Sequence, residues 1–441
     1  MDVKNIIEIL HKKIDTISDT EEALVLCKAI ERLQLGSVKI VNTYADLLTM
    51  TDVQNYEVYF VEDEEFLYYH FDGDWILITN YEKNLILAWG NNGSGRLGDG
   101  TTTSRSSPVS VIGGFTDWIQ VSAGNEHSLG LRSNGTVWAW GDNASGRLGD
   151  GTITHRSSPV PVVGGFTNWI QASAGWDHSL GLRANGTLWA WGDNASGRLG
   201  DGTSAARSSP VSVIGGFTDW IYAGVGAGFS IGLRANGTAW AWGAGGVGRL
   251  GSGSDTNTTS PVSVVGGFTD WIQLSTYRLH TVGVRANGDA WAWGFNGNGV
   301  LGDNTTTNRN SPVSVVGGFT NWIQASAGWD HSLGLRANGT VWAWGAGANG
   351  KLGTNNTTNR SSPVAVVGGF TNWISVDGGE EHSVGVRVDG TAWAWGLNTE
   401  GQLGDGTTTN RSSPVSVVGG FANWISASAG ENFSLAIRSS E

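Results

Sequence analysis

A single cysteine, Cys27, stands in a chain of 441 residues. That leaves no partner for an intramolecular disulfide and no cysteine cluster for a metal. Lysine almost disappears from the C-terminal four-fifths, and the formal charge is −13. A chain so poor in basic surface is a poor match for phosphate backbones, so nucleic acid is excluded as a partner. No apolar run is long enough to span a membrane, and the N-terminal Met-Asp-Val-Lys-Asn lacks a signal-peptide pattern. The expectation is a chain with no membrane span, not secreted by a signal peptide and assembled in a reducing cytoplasm. The acidic excess is local: residues 1–84 hold 17 acidic and 7 basic side chains. This reads as a solvated acidic module.

What the sequence has in quantity is glycine, 68 residues, and tryptophan, 23 residues. Their spacing is regular. The tryptophan of Ala-Trp-Gly recurs at Trp89, Trp140, Trp191, Trp242, Trp293, Trp344 and Trp395, always 51 residues apart. Pro108, Pro159, Pro210, Pro261, Pro312, Pro363 and Pro414 keep the same step, as do Arg132 and its six equivalents through Arg438. Each unit reads as four short strands, for example Pro108–Ile112, Trp118–Ser122, His127–Arg132 and Thr136–Trp140, bounded by Gly-rich links. The Ser133-Asn134-Gly135 link favours a primed turn, which makes the flanking strands antiparallel neighbours. Four strands per repeat, repeated radially, specify a mainly β protein, a seven-bladed β-propeller over 81–441. Closure is expected from two orphans. Leu85–Gly90 lacks a preceding strand and Phe433–Arg438 lacks a following one, so their pairing shuts the ring and removes both edges.

Units such as Trp138-Ala-Trp-Gly-Asp-Asn-Ala-Ser-Gly-Arg-Leu-Gly-Asp-Gly, then Arg-Ser-Ser-Pro, then Ala-Gly-Trp-Asp-His-Ser-Leu-Gly-Leu-Arg183, resemble the regulator of chromosome condensation repeat family. The resemblance covers residues 85–438 and all seven units. It implies a seven-bladed propeller, and a repeat histidine that is a packed, hydrogen-bonded core residue. Family roles are diverse: nucleotide exchange on a small GTPase, ultraviolet perception in plants and inhibition of secreted β-lactamases. Fold alone therefore does not assign a function. The family's exchange factor uses an inserted wedge and a basic tail, and this chain has neither. Its photoreceptor uses a compact tryptophan cluster, whereas here only Trp176 and Trp329 occupy the Gly-x-x-His loops.

Ahead of the propeller, Val3, Ile7, Leu10, Ile14 and Ile17 step by four and three as a short heptad seam. Ser18 and Glu21 form a capping box opening a second helix to about Leu33, which stops at Gly36. Residues 1–36 thus read as a helical hairpin for attachment or oligomerisation, with Ile7, Leu10, Ile14 and Ile17 as its contact residues. Residues 37–80 read as a small β-meander module, with strands at Val58–Val61, Phe66–Phe71 and Trp75–Ile78. About forty residues, from Ile40-Val-Asn-Thr-Tyr-Ala-Asp-Leu through Tyr68–Trp75, resemble β-modules of bacteriophage tail-fibre and virion proteins.

The repeat histidines His127, His178, His280, His331 and His382 are replaced by Phe229 and Phe433 in two units. A space-filling role survives that replacement and a catalytic one does not. Gly243-Ala-Gly-Gly-Val-Gly248 matches a dinucleotide fingerprint by letter but has no helix to receive a pyrophosphate. The Gly-Asp-Gly loops at Asp99, Asp150, Asp201 and Asp405 lack the alternating oxygen ligands of a calcium loop and read as turns. No catalytic residue, metal or cofactor is expected.

Variation gathers elsewhere. Gly164–Thr187 is identical to Gly317–Thr340, yet the two residues before the repeat histidine change from unit to unit. The hairpins place these loops on one face with the Gly-x-Leu-Gly loops, and the Asn-Gly turns on the other. The candidate binding face is therefore Glu126, Trp176, Asp177, Arg278, Trp329, Asp330, Glu380, Glu381 and Glu431, with drift in solvent-exposed loops as the competing explanation. Trp176 and Trp329 are separated by three of seven steps, so they are expected on nearly opposite sides of the ring, each beside an aspartate free to accept hydrogen bonds. The functional expectation is a non-enzymatic virion component, a tail-fibre or receptor-binding protein. Its partners are other virion proteins or further copies of the chain through residues 1–80, and a host-surface glycan or protein through the variable face. Capsid decoration, or a soluble inhibitor capping a host protein, is the alternative.

Overall fold

In the computed structural model, residues 83–440 are described in full, with four further backbone strands at Val38–Val41, Val58–Val61, Phe66–Phe71 and Asp74–Thr79. The chain divides into two units, Met1–Glu82 and Lys83–Glu441. The expected helical hairpin, with Ile7, Leu10, Ile14 and Ile17, lies outside the described residues. The three expected strands are present, and Val38–Val41 adds a fourth, paired in parallel with Val58–Val61. A parallel partner cannot be joined by a tight turn, so the hairpin signals gave no hint of it.

Lys83–Glu441 forms seven four-stranded antiparallel sheets. Blades 1 to 6 span residues 118–161, 169–212, 220–263, 271–314, 322–365 and 373–416. Blade 7 is composite: Trp424–Ala429 and Phe433–Ser439 combine with Asn84–Gly90 and Arg105–Ser110. The seam is a continuous register from Phe433↔Gly90 to Ser439↔Asn84, as the orphan strands required. The innermost strands, from Trp118–Ala123 in blade 1 to Trp424–Ala429 in blade 7, touch one another in turn around the full circle.

Twenty of the 23 tryptophans sit at three repeat positions, and their geometry explains the period. Trp140 is fully buried, its ring meets Trp118 edge-on at 6.2 Å, and its indole N–H donates to the Arg96 carbonyl of blade 7 at 2.9 Å. Trp89 and Trp344 make the same bond to Gln402 and Val300. Each such indole closes a gap between adjacent blades. Gly98 must be glycine here, since a Cβ would lie 2.8 Å from the Trp140 ring. Truncating a buried tryptophan of this kind costs about 3–5 kcal/mol.

The repeat histidines form a second inter-blade ring. His127 Nε2 lies 2.8 Å from Ser179 Oγ of the next blade, and His178–Ser230, His280–Ser332, His331–Ser383 and His382–Ser434 repeat the bond. Each of these five serines donates to a loop carbonyl, as Ser179 does to Arg147. The serine hydrogen being committed, the imidazole Nε2–H is the donor and the ring is neutral. Burial holds all five histidines well below their ordinary pKa, His280 and His382 at about 3. They are packing residues, as the Phe229 and Phe433 replacements required.

The Gly-Asp-Gly aspartates are likewise consumed by the fold. Asp99 Oδ1 accepts from Thr101 N, Thr101 Oγ1 and Asn92 Nδ2, while Oδ2 pairs with Arg105 at 2.9 Å. Burial opposes ionisation of Asp99, but these bonds prevail and its pKa is lowered. Gly243–Gly248 lies in a loop with a single 3-10 turn at Gly246–Gly248, not at a helix N-terminus.

Candidate functional site

The two ends of the central channel differ in kind. On the face of the Asn-Gly turns, every blade presents an isoleucine at the same position. Ile119, Ile170, Ile221, Ile272, Ile323, Ile374 and Ile425 form a ring of residues 43–54 % exposed. On the opposite face, the Gly-x-x-His loops and the loops after each Trp-Ala-Trp strand converge on the axis. All nine residues of the candidate binding face lie here, each partly exposed.

Trp176 and Trp329 do not lie apart. Their rings meet edge-on, 5.0 Å between centroids and 82° between planes. Counting blades gave the angular separation of the loops but not the inward direction of the side chains, which reach over the narrow mouth and touch. A ligand can therefore contact both at once. The Arg278 guanidinium stacks on Trp329 at 4.1 Å, and Tyr277 fills the space beneath. A small void is lined by Asn125, Trp176, Val225, Tyr277, Arg278 and Trp329. The tyrosine stands where six other repeats have glycine: at Gly124 a Cβ would come within 2.4 Å of the Gly175 carbonyl. Blade 4 accommodates it by rerouting its loop, with Thr276 Oγ1 rather than the usual glycine amide donating to the His280 carbonyl.

Around the aromatic pair runs a ring of residues from the Gly-x-Leu-Gly loops, none of which the sequence marked as functional. The position after Gly-x-Gly or its equivalent holds Arg96, Arg147, Arg198, Arg249, Val300, Lys351 and Gln402. Arg96, 4 % exposed, pairs with Glu126 at 3.1 Å and Glu431 at 3.0 Å. Arg147 pairs with Asp142 at 3.1 Å and Asp177 at 2.7 Å; Arg198 reaches Asp193 at 2.9 Å and Asp177 at 3.7 Å. Lys351, wholly buried, lies 2.5 Å from Asp330 and 2.7 Å from Glu381. Five of the candidate carboxylates are thus held in ion pairs, Glu126, Asp177 and Glu381 across blades, so Asp177 and Asp330 are not the free acceptors expected beside the tryptophans. The missed signal is a partial covariation: three of the five basic residues, Arg96, Arg147 and Lys351, match an acid in the next unit's variable pair.

Glu380 is the exception, with no ion pair among the described residues. Burial, and then the nearby Glu431 and Glu381 carboxylates, push its pKa up to about 7. Glu431 is also raised by burial, despite Arg96. Within the channel, Gln and Ser side chains bridge neighbouring innermost strands, as Gln171 does to both backbone groups of Ala223. Asp377 ties Ser326, Ser428 and the Ala429 amide together. Among the described residues no group of three or more His, Cys, Asp or Glu could hold a metal, and no helix is long and apolar enough to cross a membrane.

A family model for the RCC1-like domain matches residues 85–436. The ultraviolet-B receptor UVR8 of Arabidopsis thaliana is 29 % identical over 341 residues, covering 75 % of this chain and 77 % of that protein. The human E3 ubiquitin-protein ligase HERC2 is 27 % identical over 348 residues, 76 % of this chain but 7 % of that one. Among solved structures, Prp20p of Saccharomyces cerevisiae, described with its binding to Gsp1p and histones, superposes with a TM-score of 0.73 at 21 % identity, over 81 % of this chain and 92 % of that one.

Proposed function

The chain belongs to the RCC1-like domain family, and from that premise we propose that it is a non-enzymatic binding protein whose loop face grips one macromolecular partner. One observation carries the reading: blades that are nearly copies elsewhere differ where their loops meet, and there Trp176 and Trp329 come together. Exposed aromatic and arginine side chains at the centre of a surface are typical interface anchors. The polar groups that repeat around the ring, the histidines, serines and Gly-Asp-Gly aspartates, are engaged in scaffold bonds, which leaves none of them poised as nucleophile or base. Partner binding is also what the description of Prp20p names.

The finer reading is a bacteriophage virion component, attached through residues 1–80 and presenting the loop face to a host-surface protein or glycan. Its support is the likeness of the Ile40–Trp75 region to tail-fibre modules. Two measurements test it. Purified particles should contain the chain, and Ile7→Asp with Ile14→Asp should abolish incorporation; particles carrying that double mutant normally would reject attachment through this region. Full-length protein carrying Trp176→Ala and Trp329→Ala should keep its melting transition and lose about 2 kcal/mol or more of cell-surface adsorption. Unchanged adsorption would place the binding surface elsewhere.

A further inference from the structure

The ion-pair ring is broken at one sector. In the pattern set by Arg96 with Glu126, Arg147 with Asp177 and Lys351 with Glu381, a basic residue pairs with the second residue before the next blade's histidine position. For Arg249 that residue is Leu279, and in its own blade the position is Gly228. Arg249 is accordingly unpaired among the described residues. Its guanidinium is instead held by two carbonyls, Nε donating to Gly246 at 2.9 Å and Nη1 to Ala227 at 3.0 Å. Ala227 in turn donates its amide to the Arg278 carbonyl. Arg278 also lacks a carboxylate within ion-pair reach and is fixed on the Trp329 ring.

We propose that Arg249 and Arg278 form a carboxylate-binding site on the loop face, fitted to a single acidic side chain of a partner protein. Both guanidiniums are already oriented, so little rotamer entropy remains to be lost, and planar N–H pairs match a carboxylate. Elsewhere the mouth carries Glu126, Asp330, Glu380, Glu381 and Glu431, whose field disfavours a dianion such as phosphate more than a single carboxylate. A bound carboxylate would supply the charge that blade 4 omits.

This proposal rests on the loop face being the binding surface. The test uses full-length protein and a fluorescent peptide whose one charged side chain is a central glutamate, read by anisotropy at low salt. Wild type should bind, with affinity falling as salt rises. Leu279→Asp restores the missing repeat carboxylate, so it should weaken peptide binding at least tenfold without lowering the melting temperature; Arg278→Gln should do the same. Undiminished binding by folded Leu279→Asp, no binding by wild type, or displacement by inorganic phosphate at lower concentration than by acetate would each overturn the proposal. The cell-adsorption assay separates the two readings. If Trp176→Ala with Trp329→Ala abolishes adsorption and the peptide is ignored, the loop face stands and the carboxylate site falls.

Discussion

The turn face and the loop face of this propeller are made by the same seven repeats, yet one is nearly symmetric and the other is not. On the turn face each blade offers an isoleucine of similar exposure, and an arginine stacked on a phenylalanine, as Arg132 is on Phe115 at 4.2 Å. On the loop face no two neighbouring blades present the same pair. A sevenfold surface offers a partner seven equivalent orientations, whereas an irregular one offers a single orientation. The proposed selectivity for one partner therefore calls for the loop face, and the turn face is the plain product of repetition.

The comparison breaks entirely if the ring opens. Deleting residues 433–441 removes the strand that pairs with Asn84–Gly90 and exposes two edges. Aggregation, or loss of the cooperative melting transition, is expected; a truncated chain melting like wild type would mean the seam does not hold the ring.

Acid separates the buried ring from the mouth. The histidines have folded pKa values below the ordinary 6.5, with His280 and His382 at about 3. Above pH 6.5 both states are neutral and nothing is lost. As pH falls below 6.5 the unfolded chain takes up protons first, so stability declines until the folded pKa is reached. At pH 4.5 His280 and His382 each withdraw on the order of 2 kcal/mol. His331→Phe, which copies blades 3 and 7, should soften this decline in a pH series of melting temperatures. Glu380 acts oppositely. Its pKa is raised to about 7, so the stability present below its unfolded pKa is lost as pH rises through 7. Glu380→Gln should raise the melting temperature at pH 8 and leave it unchanged at pH 4.

Smaller effects sharpen the contrast. Lys351→Ala leaves Asp330 and Glu381 facing each other around a lost charge, with an expected cost of about 3 kcal/mol; adding Asp330→Asn and Glu381→Gln should recover part of it in denaturant titrations. Ile221→Ser with Ile272→Ser, on the turn face, should change stability by about 0.5 kcal/mol or less per site and leave cell adsorption intact. Loss of adsorption there would move the binding surface to the wrong end of the channel.

The blades were legible because a fixed period imposes its own register: Trp89 to Trp395 mark one strand each, and the unpaired Leu85–Gly90 segment announced the seam. The loop face was legible in part. Variation located it, and the replacement of histidine by Phe229 and Phe433 removed a false catalytic site. Two features were hidden. The meeting of Trp176 with Trp329 depends on side-chain direction over a narrow channel, which blade counting does not contain. The partners of Glu126, Asp177 and Asp330 lie in a Gly-x-Gly-Arg stretch that looks like turn chemistry, and only Lys351, Val300 and Gln402 at that register betray a position with a changing job.

The composite blade also sets an order of events in time. Blades 1 to 6 are each drawn from a contiguous stretch of 44 residues, so their contacts form locally and fast. Blade 7 joins Asn84 to Ser439, a closure across nearly the whole domain whose chain-entropy cost, growing with the logarithm of length, exceeds that of any hairpin within it. Joining the ends is therefore the last step and the slow one, and a chain whose synthesis stops even ten residues early carries six finished blades that cannot be locked into a circle.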